Sequence, residues 1–397
     1  MSRFDNKVER KNTNSIKWDM IPIKDATVNP GVEAIPMWVA DMDFETAPSV
    51  VAAIQKRLEH PVFGYAGKNQ PYFDAIKWWH KTRYNIADLQ DEWISYENGV
   101  LGGVSTGVRA FTEEGDPVLI HSTTYIGFTG VLNGLGRKII HSELVADENG
   151  IMRMDYEDME RKIVEHKIKA YVFCSPHNPS GRVWDLDELE KMIDICYKHN
   201  VVVIADEIWA DFTYSGKKHI PTYSVNEKAA EIVYSVYALG KTFNLAALIG
   251  AQSVCKGEKL RAAIRKCAAD THLNGASQLM LAAVIGAYNP DGAAWVDELI
   301  AYLKKNIDYA TSFINEQLPG VTVKVPEGTY LIFLDCEQYL KDKGVDLDTL
   351  LARFVAAGVI PNDGRPFGGA NHIRLNLACR HESVVEAMKR LKESAFI

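Results

Sequence analysis

Lys241 is the only charged residue in the stretch Ser235-Val236-Tyr237-Ala238-Leu239-Gly240-Lys241-Thr242-Phe243-Asn244-Leu245-Ala246-Ala247-Leu248. A lysine in such surroundings is desolvated, loses its proton more readily and becomes an imine-forming nucleophile for carbonyl chemistry. Upstream, Asp206 and Glu207 close the apolar run 201–205. A carboxylate at the end of a buried strand is costly unless paired, so Asp206 requires a cationic partner or hydrogen bonds, and a structural salt bridge would serve as well as a ligand. Arg374 is the lone cation within 372–377 except for the flanking His372, which suits it to bidentate capture of a carboxylate or to internal pairing at a core edge. Between Tyr96 and Gly107 lie Gly99, Gly102, Gly103 and Gly107. This segment runs from a strand into a helix and can bring backbone N–H groups up to a phosphate, although it is neither a P-loop nor G-x-G-x-x-G and also reads as a plain glycine-rich turn.

These residues need elements to position them. Short β-branched runs at 117–121, 170–174, 201–205, 232–237 and 248–254 alternate with amphipathic stretches, the pattern of an α/β fold with a mostly parallel sheet covered by helices. Ligands of such sheets gather beyond the carboxyl ends of the strands. Tyr125, Asn178, Asp206 and Lys241 all follow strand ends in this reading. Asp185 with Glu188 three residues on predicts a capped helix that buries Leu189, Met192, Ile193 and Cys196. The break Asn289-Pro290-Asp291-Gly292 precedes a long helix with Leu299, Ile300, Leu303, Ile307, Ala310 and Ile314 on one face. Strands near 321–324 and 330–335 and helices near 347–357 and 382–394 then suggest a smaller α+β unit.

Net charge is 44 minus 52, or -8, and no Lys/Arg run stands out, so neither nucleic acid nor an anionic membrane surface is expected as a partner. A small molecule is. No uninterrupted apolar stretch reaches ~18 residues and residues 1–18 are charged and polar, which leads us to expect a cytoplasmic protein. The six cysteines form no C-x-x-C pair and the eleven histidines no i,i+3 or i,i+4 pair; we expect reduced core thiols and no metal site.

Asn178, Asp206, Lys241 and Arg374, in that order and at those intervals, resemble the signature of fold type I pyridoxal-phosphate enzymes, the aspartate aminotransferase family, over nearly the whole chain. Residues 10–18 (RKNTNSIKW), 36–44 (PMWVADMDF), 63–65 (FGY), 175–184 (SPHNPSGRVW) and 241–244 (KTFN) are similar to the MalY/PatB subgroup of cystathionine β-lyases and related carbon–sulfur lyases. The resemblance implies pyridoxal 5'-phosphate as cofactor, carried by Lys241, which would also move the substrate α-proton. It implies that Asp206 keeps the pyridine nitrogen protonated, Tyr125 stacks on the ring, Asn178 bonds the ring's phenolic oxygen, and Trp209 lies against the cofactor. Gly102 and Gly103, with Tyr65 of a neighbouring subunit, would hold the phosphate. Arg374, with Asn178 and Ala40, would bind the substrate. It further implies a homodimer with shared active sites, an N-terminal arm of 1–48 belonging to the small domain, a large cofactor-binding domain of 49–289 and a small C-terminal domain of 290–397. The activity implied is α,β-elimination on sulfur amino acids to a thiol, pyruvate and ammonia. Transamination and a cofactor-binding regulatory role are the alternatives.

Four positions depart from the pattern. Ala238 replaces the usual serine or threonine three residues before the lysine, removing a phosphate hydrogen bond worth about 1.5 to 3 kcal/mol. Trp209 stands where tyrosine or histidine is common, and can donate but not accept. Ser122-Thr123-Thr124 replaces apolar and proline residues ahead of Tyr125, and Cys379-Arg380-His381 lacks the subgroup's Cys-Pro-Arg ending.

Overall fold

The computed structural model describes residues 2–397. The chain forms two compact units, a larger one of Thr46–His177 and Arg182–Asp297, and a smaller one of Met1–Glu45, Asn178–Gly181 and Glu298–Ile397.

The larger unit is built on an eight-stranded sheet. Its strands are β1 (Ile94–Glu97), β2 (Pro117–Ser122), β3 (Lys138–Ala146), β4 (Met152–Met154), β5 (Ala170–Cys174), β6 (Val202–Asp206), β7 (Val233–Tyr237) and β8 (Ala251–Val254). They lie in the order β1-β8-β7-β6-β5-β2-β3-β4, parallel from β7 across to β3 and antiparallel toward both edges. Every residue of β5 and β7 is buried, as a sheet covered on both faces requires. The helices that matter for the site are α1 (Val100–Phe111), α2 (Ile126–Gly134), α3 (Leu186–Lys198) and the short α4 (Leu239–Thr242). Helix α1 packs on β6 and β7 at close range. A Cβ on Gly103 would meet Val236 Cγ1 at 2.9 Å and one on Gly107 would meet Ile204 at 3.0 Å, so both positions need glycine for packing.

Helix α3 begins with the expected capping box of Asp185 and Glu188 and buries Leu189, Met192, Ile193 and Cys196. The strand expected at 201–205 starts one residue later, because the Val201 N–H is used to close the helix before it, on Cys196 O at 2.8 Å. The strand expected at 248–254 is shorter still. Leu248 N–H turns back to Leu245 O at 3.0 Å, and the ladder begins at Ala251.

Helix α5 (Pro290–Gln317) starts at the predicted break, where the Asn289 side chain takes the Gly292 N–H at 2.9 Å. Leu299, Leu303, Ile307, Ala310 and Ile314 are buried along it and Ile300 is half-buried. In the smaller unit, β9 (Leu331–Asp335), β10 (Asn362–Asp363) and β11 (His372–Asn376) form an antiparallel sheet with β11 in the middle. The strand expected at 321–324 is absent as a strand. Asn315 on α5 occupies both the N–H and the carbonyl of Val323, at 3.0 and 2.9 Å, leaving an isolated bridge from Thr322 to Asp335. Helices α6 (Leu347–Ala356) and α7 (His381–Arg390) complete the unit, the last followed by a π-helical turn at Leu391–Ala395. Among the described residues no helix is long and apolar enough to cross a membrane.

Candidate active site

The parallel strands β7, β6, β5 and β2 end side by side at Tyr237, Asp206, Cys174 and Ser122. Strand β1 runs in the same direction as β7, since both are antiparallel to the β8 between them, so α1 also starts from this edge. The sequence placed Tyr125, Asn178, Asp206, Lys241 and the glycine segment beyond these strand ends; the larger unit brings all but Asn178 to one edge, and Asn178 belongs to the smaller unit.

Lys241 projects from α4, and its Nζ stands 5.4 Å from the centre of the Trp209 ring. Trp209 is itself buried, edge-on to Phe212. Asp206, at the end of β6, accepts the Ile208 N–H on Oδ1 at 3.0 Å. Burial pushes its carboxyl up to about 7, against the pull of that hydrogen bond and of the Lys241 charge. A carboxyl in this state gains most from a cation brought directly against it.

Its neighbour Glu207 has the opposite surroundings. It accepts from His219 Nε2 at 2.5 Å, Ser235 Oγ at 2.6 Å, Tyr237 OH at 2.5 Å and the Thr222 N–H at 3.0 Å. Burial raises Glu207, but the charge and hydrogen bonds of His219 with those of Ser235 and Tyr237 outweigh it and hold the acid below its ordinary value. Asp211, which sequence reasoning passed over, takes the Thr242 hydroxyl at 2.7 Å, Trp79 Nε1 at 3.0 Å and Tyr84 OH at 2.8 Å. Its signal was an acid five residues after Asp206, at the end of the apolar run Ile208-Trp209-Ala210.

At the start of α1, Gly99 adopts a positive φ of 77°. The N–H of Gly103 donates to Gly99 O at 3.0 Å, whereas those of Val100, Leu101 and Gly102 belong to the first turn, which has no carbonyl behind it in the helix. A Cβ on Gly102 would meet only Asn98 Cβ, at 3.5 Å. Ala238 is buried between β7 and α4. Tyr125 is the N-terminal flanking residue of α2, half-buried and edge-on to Phe128. Tyr65 is fully exposed.

The smaller unit holds Arg374, Asn178 and Ala40 together. Arg374 is buried on β11; its Nη1 donates to Asn178 Oδ1 at 3.1 Å, its Nη2 donates to Trp38 O at 3.0 Å, and its guanidinium lies 4.2 Å from the Phe367 ring centre. Ala40 O accepts from Tyr330 OH at 3.1 Å. Next to it, Asp43 binds Lys17 Nζ at 3.0 Å, Trp18 Nε1 at 2.8 Å and Arg10 at 2.8 Å, and Asp41 holds Arg10 at 2.8 Å. Lys17 is wholly buried in this ion cluster. Nothing in its sequence neighbourhood, Ser15-Ile16-Lys17-Trp18, marked it as such.

The family model described as aminotransferase class I and II matches residues 33–391. The chain belongs to the class I and II aminotransferase family. Within this family it is 34% identical to cystathionine beta-lyase PatB of Bacillus subtilis over 392 residues, 98% of each chain. Among solved structures, cystalysin from Treponema denticola, which contains a pyridoxal 5'-phosphate cofactor, superposes with a TM-score of 0.91 at 31% identity over 99% of this chain and 98% of its own. The pyridoxal-phosphate-bound C-S lyase from Staphylococcus hominis gives 0.88 at 29% identity over 98% of both. The mostly parallel sheet and its flanking helices are thus the family's fold.

Proposed function

We propose that this chain is a pyridoxal-phosphate-dependent carbon–sulfur β-lyase that acts on sulfur amino acids such as cystathionine. The observation that carries the reading is the pair Asp206 and Lys241. A carboxyl driven up by burial and in need of a cation sits at the end of one strand, and a lysine against a buried indole follows the next. These groups, with the first turn of α1 and the small Gly102 beside it, fit the cofactor's ring nitrogen, aldehyde and phosphate.

The bound cofactor supplies an electron sink that acidifies the α-proton of an amino acid. Lys241 would hold it through its Nζ and, once the substrate amine has taken that place and freed the lysine, would take the proton from Cα. The Cβ–S bond breaks as the Cα–Cβ double bond forms, and Lys241 returns a proton to the leaving thiolate. Addition of water then yields pyruvate and ammonia. Asp206, ionised against the ring nitrogen, would keep that nitrogen protonated. Trp209 lines the lysine, and Tyr125 would lie against the ring. Val100, Leu101 and Gly102 would offer their N–H groups to the phosphate; the Gly103 N–H is already engaged within the helix, so its part is to seat α1. Ala238 adds no hydroxyl here. Arg374, held by Asn178 and the Trp38 carbonyl, clamps the substrate carboxylate beside Ala40.

The protein is a homodimer in which the exposed Tyr65 reaches a partner's phosphate, and the free cysteines, all but Cys267 buried, fit the reducing cytoplasm. A second reading, transamination, draws on the family description itself and uses the same residues. The deciding experiment is release of pyruvate and ammonia from L-cystathionine by cofactor-loaded protein with no keto acid added. Stoichiometric release supports the lyase. No release, with conversion of the cofactor to its amine form, replaces it with the aminotransferase.

A further inference from the structure

Residues 37–41 lie outside any helix or sheet ladder, yet five successive carbonyls in this strap are each received by a donor. Met37 O accepts the Asn376 N–H at 2.7 Å, Trp38 O accepts Arg374 Nη2 at 3.0 Å, and Ala40 O accepts Tyr330 OH at 3.1 Å. The carbonyls of Val39 and Asp41 both accept Asn376 Nδ2, at 2.6 Å each. Asn362 Nδ2 also reaches Trp38 O at 3.3 Å and Lys17 Nζ reaches Asp41 O at 3.2 Å, but Asn376 alone supplies three of these bonds. Asn376 Oδ1 takes the Ala378 N–H at 2.8 Å, which fixes the amide so that both Nδ2 hydrogens point at the strap.

Arg374 and Asn376 are two apart on β11, hence on the same face of the strand. One donates to the strap at Trp38 and the other to the residues on either side of Ala40. The geometry points to Asn376, assisted by Tyr330, as the positioning residue that sets the register of the 37–41 strap against the Arg374 guanidinium, and so governs recognition of the substrate carboxylate. It acts through Arg374 and the strap rather than on the substrate. An apolar residue of the same size would remove the Val39 carbonyl's donor and leave the Asp41 carbonyl to Lys17 Nζ, at 3.2 Å, which loosens the strap, and an aspartate would set a carboxylate against both. The assignment rests on the proposed carboxylate clamp.

The test compares two probes that differ only in the carboxylate, L-alanine and ethylamine, titrated into cofactor-loaded protein and followed by the cofactor's visible absorbance. Wild type is expected to bind L-alanine more tightly. Asn376→Ala should lower that preference about tenfold or more and Tyr330→Phe severalfold, with the absorbance before titration unchanged. Asn306→Ala is the control. Asn306 is equally buried and donates to Leu377 O and Cys379 O at 2.9 and 2.8 Å, so its loss destabilises the same region without touching the strap; its preference should stay at the wild-type value. A wild-type preference in both Asn376→Ala and Tyr330→Phe, or an equal loss in Asn306→Ala, overturns the assignment. Should Asn376→Ala not fold, Tyr330→Phe, which removes one hydroxyl, decides alone. No preference in wild type itself overturns the carboxylate clamp instead.

Discussion

The hydroxyl of Thr242 donates to Asp211 at 2.7 Å. Thr242 directly follows Lys241, and Asp211 ends the loop that follows Asp206 and contains Trp209, so this bond ties the lysine's four-residue helix to the segment bearing its two neighbours. A helix this short has almost no stability of its own and keeps its place through such ties. Thr242→Val leaves a buried carboxylate oxygen without this donor and should cost about 1 to 3 kcal/mol of unfolding free energy, measured by urea denaturation. Asp211→Ala orphans Trp79 and Tyr84 as well and should cost more. An unchanged midpoint in both variants would contradict the assigned tie.

Lys241→Ala should abolish covalent attachment of the cofactor. Borohydride reduction followed by mass spectrometry should find the added mass on wild type and none on the variant, while elimination activity disappears. A full adduct in Lys241→Ala would move the attachment site elsewhere.

Asp206 and Glu207 should give the cofactor-free protein opposite pH slopes. The Asp206 carboxyl, raised from 3.8 to about 7 by burial, holds a proton in the folded state that the unfolded chain has released. Its contribution to stability is therefore complete below pH 3.8 and is lost as pH rises toward 7. Glu207 is lowered, so its contribution is present above 4.5 and is lost as pH falls through its folded value. Asp206→Asn should remove the decline between pH 4 and 7 and stabilise the cofactor-free protein at neutral pH by up to about 4 kcal/mol. The same variant should bind cofactor more weakly. Denaturation midpoints of the two proteins that run parallel from pH 5 to 8 would contradict the buried, raised carboxyl.

Arg374→Lys is not a conservative change here. The guanidinium bonds Asn178 and Trp38 O and lies over Phe367, which an ammonium cannot do at once. KM for L-cystathionine should rise by on the order of tenfold to a hundredfold, with a smaller fall in kcat. A KM within twofold of wild type would remove Arg374 from the carboxylate site.

The parts of the fold with a local cause were legible in the sequence. The Asp185–Glu188 capping box and the buried face of α3 follow from spacing alone, as does the start of α5 at Asn289-Pro290. What misled were segments whose backbone groups are claimed by distant side chains. Val323 looks like strand, but Asn315 satisfies it, and no local pattern announces that. The candidate site divides in the same way. Lys241 and Asp206 stand out in the sequence because a charge in an apolar run is conspicuous, whereas Asp211, Lys17 and Asn376 each act through a partner more than twenty residues away.

The contact between Gly103 and Val236 leaves room for a hydrogen and nothing more. Any larger residue at 103 works as a shim under α1 and tips its leading turn outward, although the added atom never approaches a ligand. The position of that turn is thus calibrated from below, by the thickness of the floor it rests on. A change there is best undone not at the ligand's side but by trimming Val236.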